Sequence, residues 1–238
     1  MAEVYKNVEI FSKIRLNGNQ LKVIAMLTML IDHIGLYLLP SYKIFRVIGR
    51  LSFPIFAYMI AEGCLHTKNR LRYFTNIAGL GILCQAAVTI FVGTWYQGIL
   101  LTFSLSILTI FCLDALQQKK SLSWRILSIL GLLSVSFLSF LLPLLIPETG
   151  FCFDYGPLGM LLPVLLYYLK RQAAKLICTA AVLLGIAALS GYRSLFALFA
   201  LPLLALYNGK RGSPRLKYLF YIFYPMHLIV IYALSILF

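Results

Sequence analysis

From residue 22 to the C-terminus, runs of about 20 apolar residues follow one another with only short basic or turn-like breaks between them. That pattern leaves little choice of fold. A helix rising about 1.5 Å per residue needs about 20 residues to cross a hydrocarbon layer of roughly 30 Å. Inside lipid the backbone must satisfy its own polar groups, which a helix does within one segment. Hydropathy divides the chain into nine such segments, at roughly 22–40, 46–66, 72–93, 98–117, 124–146, 155–169, 174–190, 193–208 and 216–237. The expected fold is an all-α polytopic membrane protein of about nine transmembrane helices, a single membrane domain over residues 21–238. Composition agrees: 61% of the 238 residues are hydrophobic and 12% are charged, against about 45–50% and about 25% in soluble domains.

A net charge of +14 would suggest nucleic acid as the partner of a soluble protein. Here the orientation rule for membrane helices accounts for it. Alternate breaks carry Lys6, Lys13, Arg15 and Lys22; Lys68, Arg70 and Arg72; Lys119, Lys120 and Arg125; Lys170, Arg171 and Lys175; and Lys210, Arg211, Arg215 and Lys217. Together these hold 17 of the 21 basic residues. The intervening breaks hold only Lys43, Arg46, Arg50 and Arg193. The alternation predicts a cytoplasmic N-terminus and an external C-terminus, and an even number of crossings would spoil it. Membrane lipids are the expected surroundings, and no nucleic-acid partner is implied.

Within the first twenty residues, Val4, Val8, Phe11 and Ile14 recur at helical spacing among bases. This reads as an interfacial helix on an anionic leaflet, with a disordered basic leader as the competing reading. A signal peptide does not fit, because charge continues to Lys22 without a cleavage site. The five cysteines are scattered and form no CxxC or Cys/His spacing, so nothing calls for a metal or a disulfide. Walker and dinucleotide-binding loops are absent, as is the internal repeat of many transporters.

Ionisable side chains inside membrane helices are costly unless paired or hydrated, and each is a functional hypothesis. The first group is Lys22 with Asp32 and His33. His33 lies eleven positions on from Lys22, which brings them within about 20° of one another around the helix and about 16 Å apart along it. The second is RVIGRLSFPIFAYMIAEGCLHTKNR, with Arg46 and Arg50 one turn apart at one end, Glu62 and His66 one turn apart at the other, and Pro54 between them. A proline there is expected to bend the helix and open a cavity beside the first one. The third is FDYGPLG, with Asp154 in an external turn, and the fourth is FYPMHLIVIY, with His227 after Pro225.

Each has a plainer reading. His33 and His227 could serve only as interhelical hydrogen-bonding groups, Arg46 and Arg50 as interfacial anchors, Glu62 and His66 as a helix-end pair, and Asp154 as a helix cap. Adjacent helical residues point about 100° apart, so Asp32 has either His33 or one of Arg46 and Arg50 as its partner.

The blocks LKVIAMLTMLIDHIGLYLLP, RVIGRLSFPIFAYMIAEGCLHTKNRLRYF, FDYGPLGMLLPVLLYYL and YIFYPMHLIVIY resemble the successive signature blocks of the TraX family. These are bacterial membrane proteins named for the conjugative-plasmid protein that N-acetylates pilin. The resemblance runs from about residue 20 to the end. More distantly, Lys22 followed by ten residues and His33 is similar to the Arg/Lys-x10-His signature of the membrane acyltransferase-3 group. Tyr224 with His227 resembles that group's late Tyr-x-x-His element, although this chain is shorter than most of its members.

The resemblance implies transfer of an acetyl group from cytoplasmic acetyl-CoA to an external amine or hydroxyl, in a bacterial inner membrane. The acceptor would belong to a peptide, a glycan or a lipid. Such an acceptor loses a proton as it attacks a thioester, so the site needs a base at membrane depth, and imidazole suits that part. His33 is then the expected general base, with Asp32 as its electrostatic partner and His227 positioning the thioester or relaying a proton. Lys22, Lys68 and Arg70 are the expected binders of the CoA phosphates. Arg46, Arg50, Glu62, Asp154 and Tyr224 are the expected acceptor-side groups. An acyl-enzyme on Cys64 is the less favoured route. A proton-coupled transporter would also place Asp, His and Arg in mid-membrane, and a non-catalytic secretion or conjugation component would need none of this chemistry.

Overall fold

The computed structural model describes residues 15–118, 121–213 and 216–237, with Lys217 described in its backbone only. The expected interfacial helix falls mostly outside the described residues, as do Lys6, Lys13, Lys119, Lys120 and Arg215. The described residues form α1 (Gly18–Tyr37), α2 (Lys43–Gly49), α3 (Ser52–His66), α4 (Arg70–Val92), α5 (Ile99–Gln117) and α6 (Leu122–Ser136). They continue with a π-turn (Phe137–Leu141), α7 (Leu142–Leu145), α8 (Gly156–Tyr168), α9 (Gln172–Ser190), a 3-10 segment (Tyr192–Phe199), α10 (Ala200–Ala205) and α11 (Lys217–Leu237). Among them only two isolated bridges have β character. The chain is an all-α polytopic membrane protein.

Among the described residues, seven helical stretches are long and apolar enough to span a membrane: Gly18–Tyr37, Lys43–His66, Arg70–Val92, Ile99–Gln117, Leu122–Leu145, Gln172–Ser190 and Tyr218–Leu237. The segments expected at 155–169 and 193–208 are shorter. Gly156 at a φ of 57° and Pro157 start α8 late, and extended backbone at Leu169 ends it. Its 13 residues cover only about 20 Å. The other short segment is mostly 3-10.

Local chemistry sets the helix ends. Asn17 caps α1 with a reciprocal box, accepting from Gln20 N at 3.0 Å while Gln20 Oε1 accepts from Asn17 N at 2.9 Å. Asn69 caps α4 by accepting from Arg72 N at 2.8 Å, and left-handed Gly93 closes that helix. Between α2 and α3 the backbone tightens into i+3 bonds, Arg50 N to Val47 O and Leu51 N to Ile48 O. Pro54 therefore sits in the first turn of α3, where its missing N–H has no helical acceptor. The bend expected at Pro54 falls instead at Arg50–Leu51, before the proline.

Two compact units are present. The first comprises the chain up to Phe56 together with the part from Tyr192, and the second is Ala57–Gly191. In the first, α1 packs against α2 and α11 and buries Leu21, Ala25, Met26 and Met29, a stripe at helical spacing. In the second, α5 is central, packed by α4, α6 and α8, and it buries Phe103, Ile107 and Ile110.

The second unit has two polar ends. Thr102 Oγ1 donates to Asp154 O at 3.1 Å, Ser106 Oγ donates to Met160 O at 2.7 Å, and Tyr167 Oη donates to Asp114 Oδ2 at 2.5 Å. Short as it is, α8 thus runs beside α5 from Thr102 to Asp114, about 18 Å of helix. It delivers Lys170, Arg171 and Lys175 to the end of the unit where Lys68, Arg70 and Arg72 lie, and Lys175 meets Glu62 there. Around α5 the bases gather at one end, in keeping with the alternation expected from the sequence.

Candidate functional site

The first unit gathers seven of the expected site residues: Lys22, Asp32, His33, Arg46, Arg50, Tyr224 and His227. In α1, His33 Nδ1 lies 2.9 Å from Met29 O, one turn back. A carbonyl oxygen only accepts, so Nδ1 carries the proton and a neutral ring keeps its lone pair on Nε2. His227 repeats this in α11, with Nδ1 donating to Phe223 O at 2.9 Å. The two imidazoles meet edge to face, ring centroids 4.9 Å apart at 78°. Phe223 stacks on His227 at 4.9 Å, Tyr224 meets its edge at 5.4 Å, and Tyr37 stacks on His33 at 6.3 Å. His227 is buried, and its Nε2 has no hydrogen-bond partner among the described residues.

Asp32 turns away from the imidazole. Its Oδ2 pairs with Arg46 Nη1 across to α2, and Arg50 lies within electrostatic reach of the same carboxylate. The α1–α2 contact depends on small residues. A Cβ on Gly49 would overlap the Asp32 carboxyl group, and one on Gly35 would overlap the Phe45 side chain. Of the two partners open to Asp32 from sequence, the structure selects the arginine. Arg46 also lies within electrostatic reach of His33, so the ion pair flanks the histidine without bonding to it.

At the other end of the same stripe, Lys22 Nζ lies over the Phe220 ring of α11, 5.3 Å from its centroid. Lys22 and His33 therefore both face α11, as their spacing requires.

The remaining four expected residues belong to the second unit. Glu62 accepts from Lys175 Nζ at 2.7 Å and lies 3.9 Å from His66 Nδ1; Lys175 is buried and also covers the Tyr58 ring. Arg70 pairs with Asp114 at 2.6 Å, and the same carboxylate accepts from Tyr167 at 2.5 Å and Tyr168 at 3.1 Å. Lys68 is exposed. Asp154 accepts from Tyr96 Oη at 2.7 Å. Burial, reinforced by the Asp154 carboxylate, pushes the Tyr96 hydroxyl above its ordinary range and the neighbouring Cys152 thiol upward in the same way. Asp114 was not singled out from sequence and Lys175 was counted only as a loop base, yet both are buried. The signal for Asp114 is its place as the one acid in ILLTFSLSILTIFCLDALQ.

A family model described as TraX protein matches residues 17–235. The "Probable fimbrial assembly protein FimC, serogroup H1" of Dichelobacter nodosus is 27% identical over 246 residues, covering 88% of this chain and 91% of that protein. An uncharacterized protein of Rickettsia prowazekii (strain Madrid E) is 39% identical over 70 residues, 29% of this chain and 26% of its own length. No solved structure matches. With the family's match reaching over nearly all of the described residues, the chain belongs to the TraX family.

Proposed function

We propose that this protein is an integral membrane acetyltransferase that moves an acetyl group from cytoplasmic acetyl-CoA to an amine or hydroxyl acceptor on the external side, with His33 as general base. The observation that carries the reading is the His33–His227 pair, two imidazoles with Nδ1 bonded to backbone carbonyls and a buried, unsatisfied Nε2 on His227. A buried polar nitrogen without a partner is costly, and one next to a second imidazole suits a site that handles a proton.

The residues present fit the donor. Basic side chains stand where α1 begins, and a neutral base stands about 16 Å further along the same helix face, which suits a molecule with a phosphorylated head and a thin uncharged arm. Acetyl-CoA supplies the thioester carbonyl when bound. His33 Nε2 takes the proton that the acceptor nitrogen or oxygen loses as it forms its bond to the acetyl carbon, while the bond to sulfur breaks. His227 holds that proton or relays it to the departing sulfur, so that CoA leaves as the free thiol. Arg46 and Arg50 stabilise negative charge developing on oxygen, and Asp32 holds Arg46 in place. The relative named for fimbrial assembly is consistent with a peptide acceptor.

This reading places the N-terminus in the cytoplasm, the C-terminus outside and the protein in the bacterial inner membrane. Its test is acetyl transfer by the full chain in liposomes supplied with isotopically labelled acetyl-CoA and an acceptor peptide. Release of the CoA thiol with a matching amount of acetylated acceptor is the expected result. Net solute flux without thioester consumption would assign the histidines to transport and overturn it.

A further inference from the structure

The segment Asn208–Ser213, NGKRGS, is fastened to the start of α1. Leu16 N donates to Leu206 O at 2.8 Å, Asn208 N to Leu16 O at 2.9 Å, Gly18 N to Lys210 O at 2.7 Å and Asn19 N to Arg211 O at 3.0 Å. The buried Asn19 side chain adds a bond from Nδ2 to Ser213 O at 2.6 Å. Two glycines with positive φ, Gly209 at 72° and Gly212 at 87°, bracket Lys210 and Arg211, a backbone that residues with a Cβ rarely adopt. A Cβ on Gly212 would lie 2.8 Å from Asn17 Oδ1 and 3.0 Å from the Asn19 amide, so the loop seats closely only because that residue is glycine.

The consequence is electrostatic. Residues nearly two hundred positions apart bring Arg211 within electrostatic reach of Lys22, with Lys210 beside it on the same fastened loop and both loop side chains exposed. Asp32 is the one Asp or Glu among the described residues of this unit, and it lies ten residues along α1 from Lys22, about 15 Å, already paired with Arg46. Holding like charges together is unfavourable, and a multiply charged anion relieves it.

We propose that Lys22, Lys210 and Arg211 form a phosphate clasp that takes the phosphate groups of the acyl donor. This rests on the acetyltransferase reading. It moves donor recognition from Lys68 and Arg70 of the second unit to the loop that closes over α1. A phospholipid headgroup offers the same phosphate chemistry, and the test separates the two sources.

The test is calorimetric titration of the full chain in phosphatidylcholine nanodiscs with CoA and, separately, with pantetheine, which lacks the phosphates. It is paired with retention of the protein on phosphatidylglycerol vesicles. Lys210→Ala/Arg211→Ala leaves the fastening carbonyls in place and is expected to weaken CoA binding by roughly tenfold or more with pantetheine binding unchanged. Gly212→Ala, which unseats the loop without removing charge, is expected to weaken CoA binding as well. Unchanged CoA affinity in the double variant overturns the proposal. A fall on phosphatidylglycerol alone also overturns it, assigning the clasp to lipid. Failure of the acetyltransferase reading is a separate observation: wild-type protein that binds CoA through this loop yet transfers no acetyl group.

Discussion

At the scale of single residues, the first unit separates two jobs that the adjacent pair Asp32–His33 seemed to share. Asp32 reaches across to Arg46, while His33 faces α11 and His227. Removing Asp32 leaves the partly buried Arg46 charge uncompensated, which costs about 3–5 kcal/mol when burial is complete and less here, whereas removing Arg46 leaves Asp32 with Arg50 still within electrostatic reach. A double-mutant cycle between Asp32→Ala and Arg46→Ala, read by denaturant unfolding in detergent, is expected to give a coupling of about 1–3 kcal/mol. Additive effects would mean that the pair does not act as one. Gly49→Ala is expected to destabilise by about 1–3 kcal/mol, because its methyl group displaces the Asp32 carboxyl group from Arg46. The pairing of Asp32 was not legible in the sequence, since the 100° between neighbouring helical side chains leaves the choice to the packing of α2. The meeting of His33 with His227 depends on the packing of α11 against α1, which no spacing within either helix fixes.

At the scale of elements, apolar run length located every long helix, because lipid leaves no other use for such runs. Two features lay beyond its reach. The α2–α3 break precedes Pro54, since a proline is best placed in a first turn. Pro54→Ala is accordingly expected to change stability by less than about 1 kcal/mol, whereas a mid-helix kink would respond more strongly in the same thermal melts. The buried Asp114 assembles Arg70, Tyr167 and Tyr168 from two other stretches of chain, a convergence that no local pattern announces. Asp114→Ala leaves the Arg70 guanidinium and two hydroxyls without their shared acceptor. Because the Arg70 side chain is partly exposed, the expected loss is about 1–3 kcal/mol, and Arg70→Ala/Asp114→Ala together should cost less than the two single changes summed.

At the scale of the whole molecule, charge alternation predicts which breaks share a side, and the second unit agrees where its contacts bear on the question. The short α8 carries the chain from the Asp154 end to the Asp114 end. In a cysteine-free background, Lys68→Cys and Lys170→Cys are therefore expected to react from one side of the membrane and Glu148→Cys from the other, as read by an impermeant maleimide. Labelling of Lys170→Cys from the side of Glu148→Cys would contradict the crossing of α8.

On the proposed acetyltransferase reading, function at this scale rests on one nitrogen, Nε2 of His33. The most direct measurement is the single-turnover rate of acetyl transfer from acetyl-CoA by His33→Ala against wild type, both in liposomes and matched for thermal unfolding and CoA affinity. A general base contributes about 10²–10⁴-fold, so the variant is expected to bind CoA normally and to transfer acetyl at least about a hundredfold more slowly. Transfer at the wild-type rate would contradict the assignment of His33 as the base.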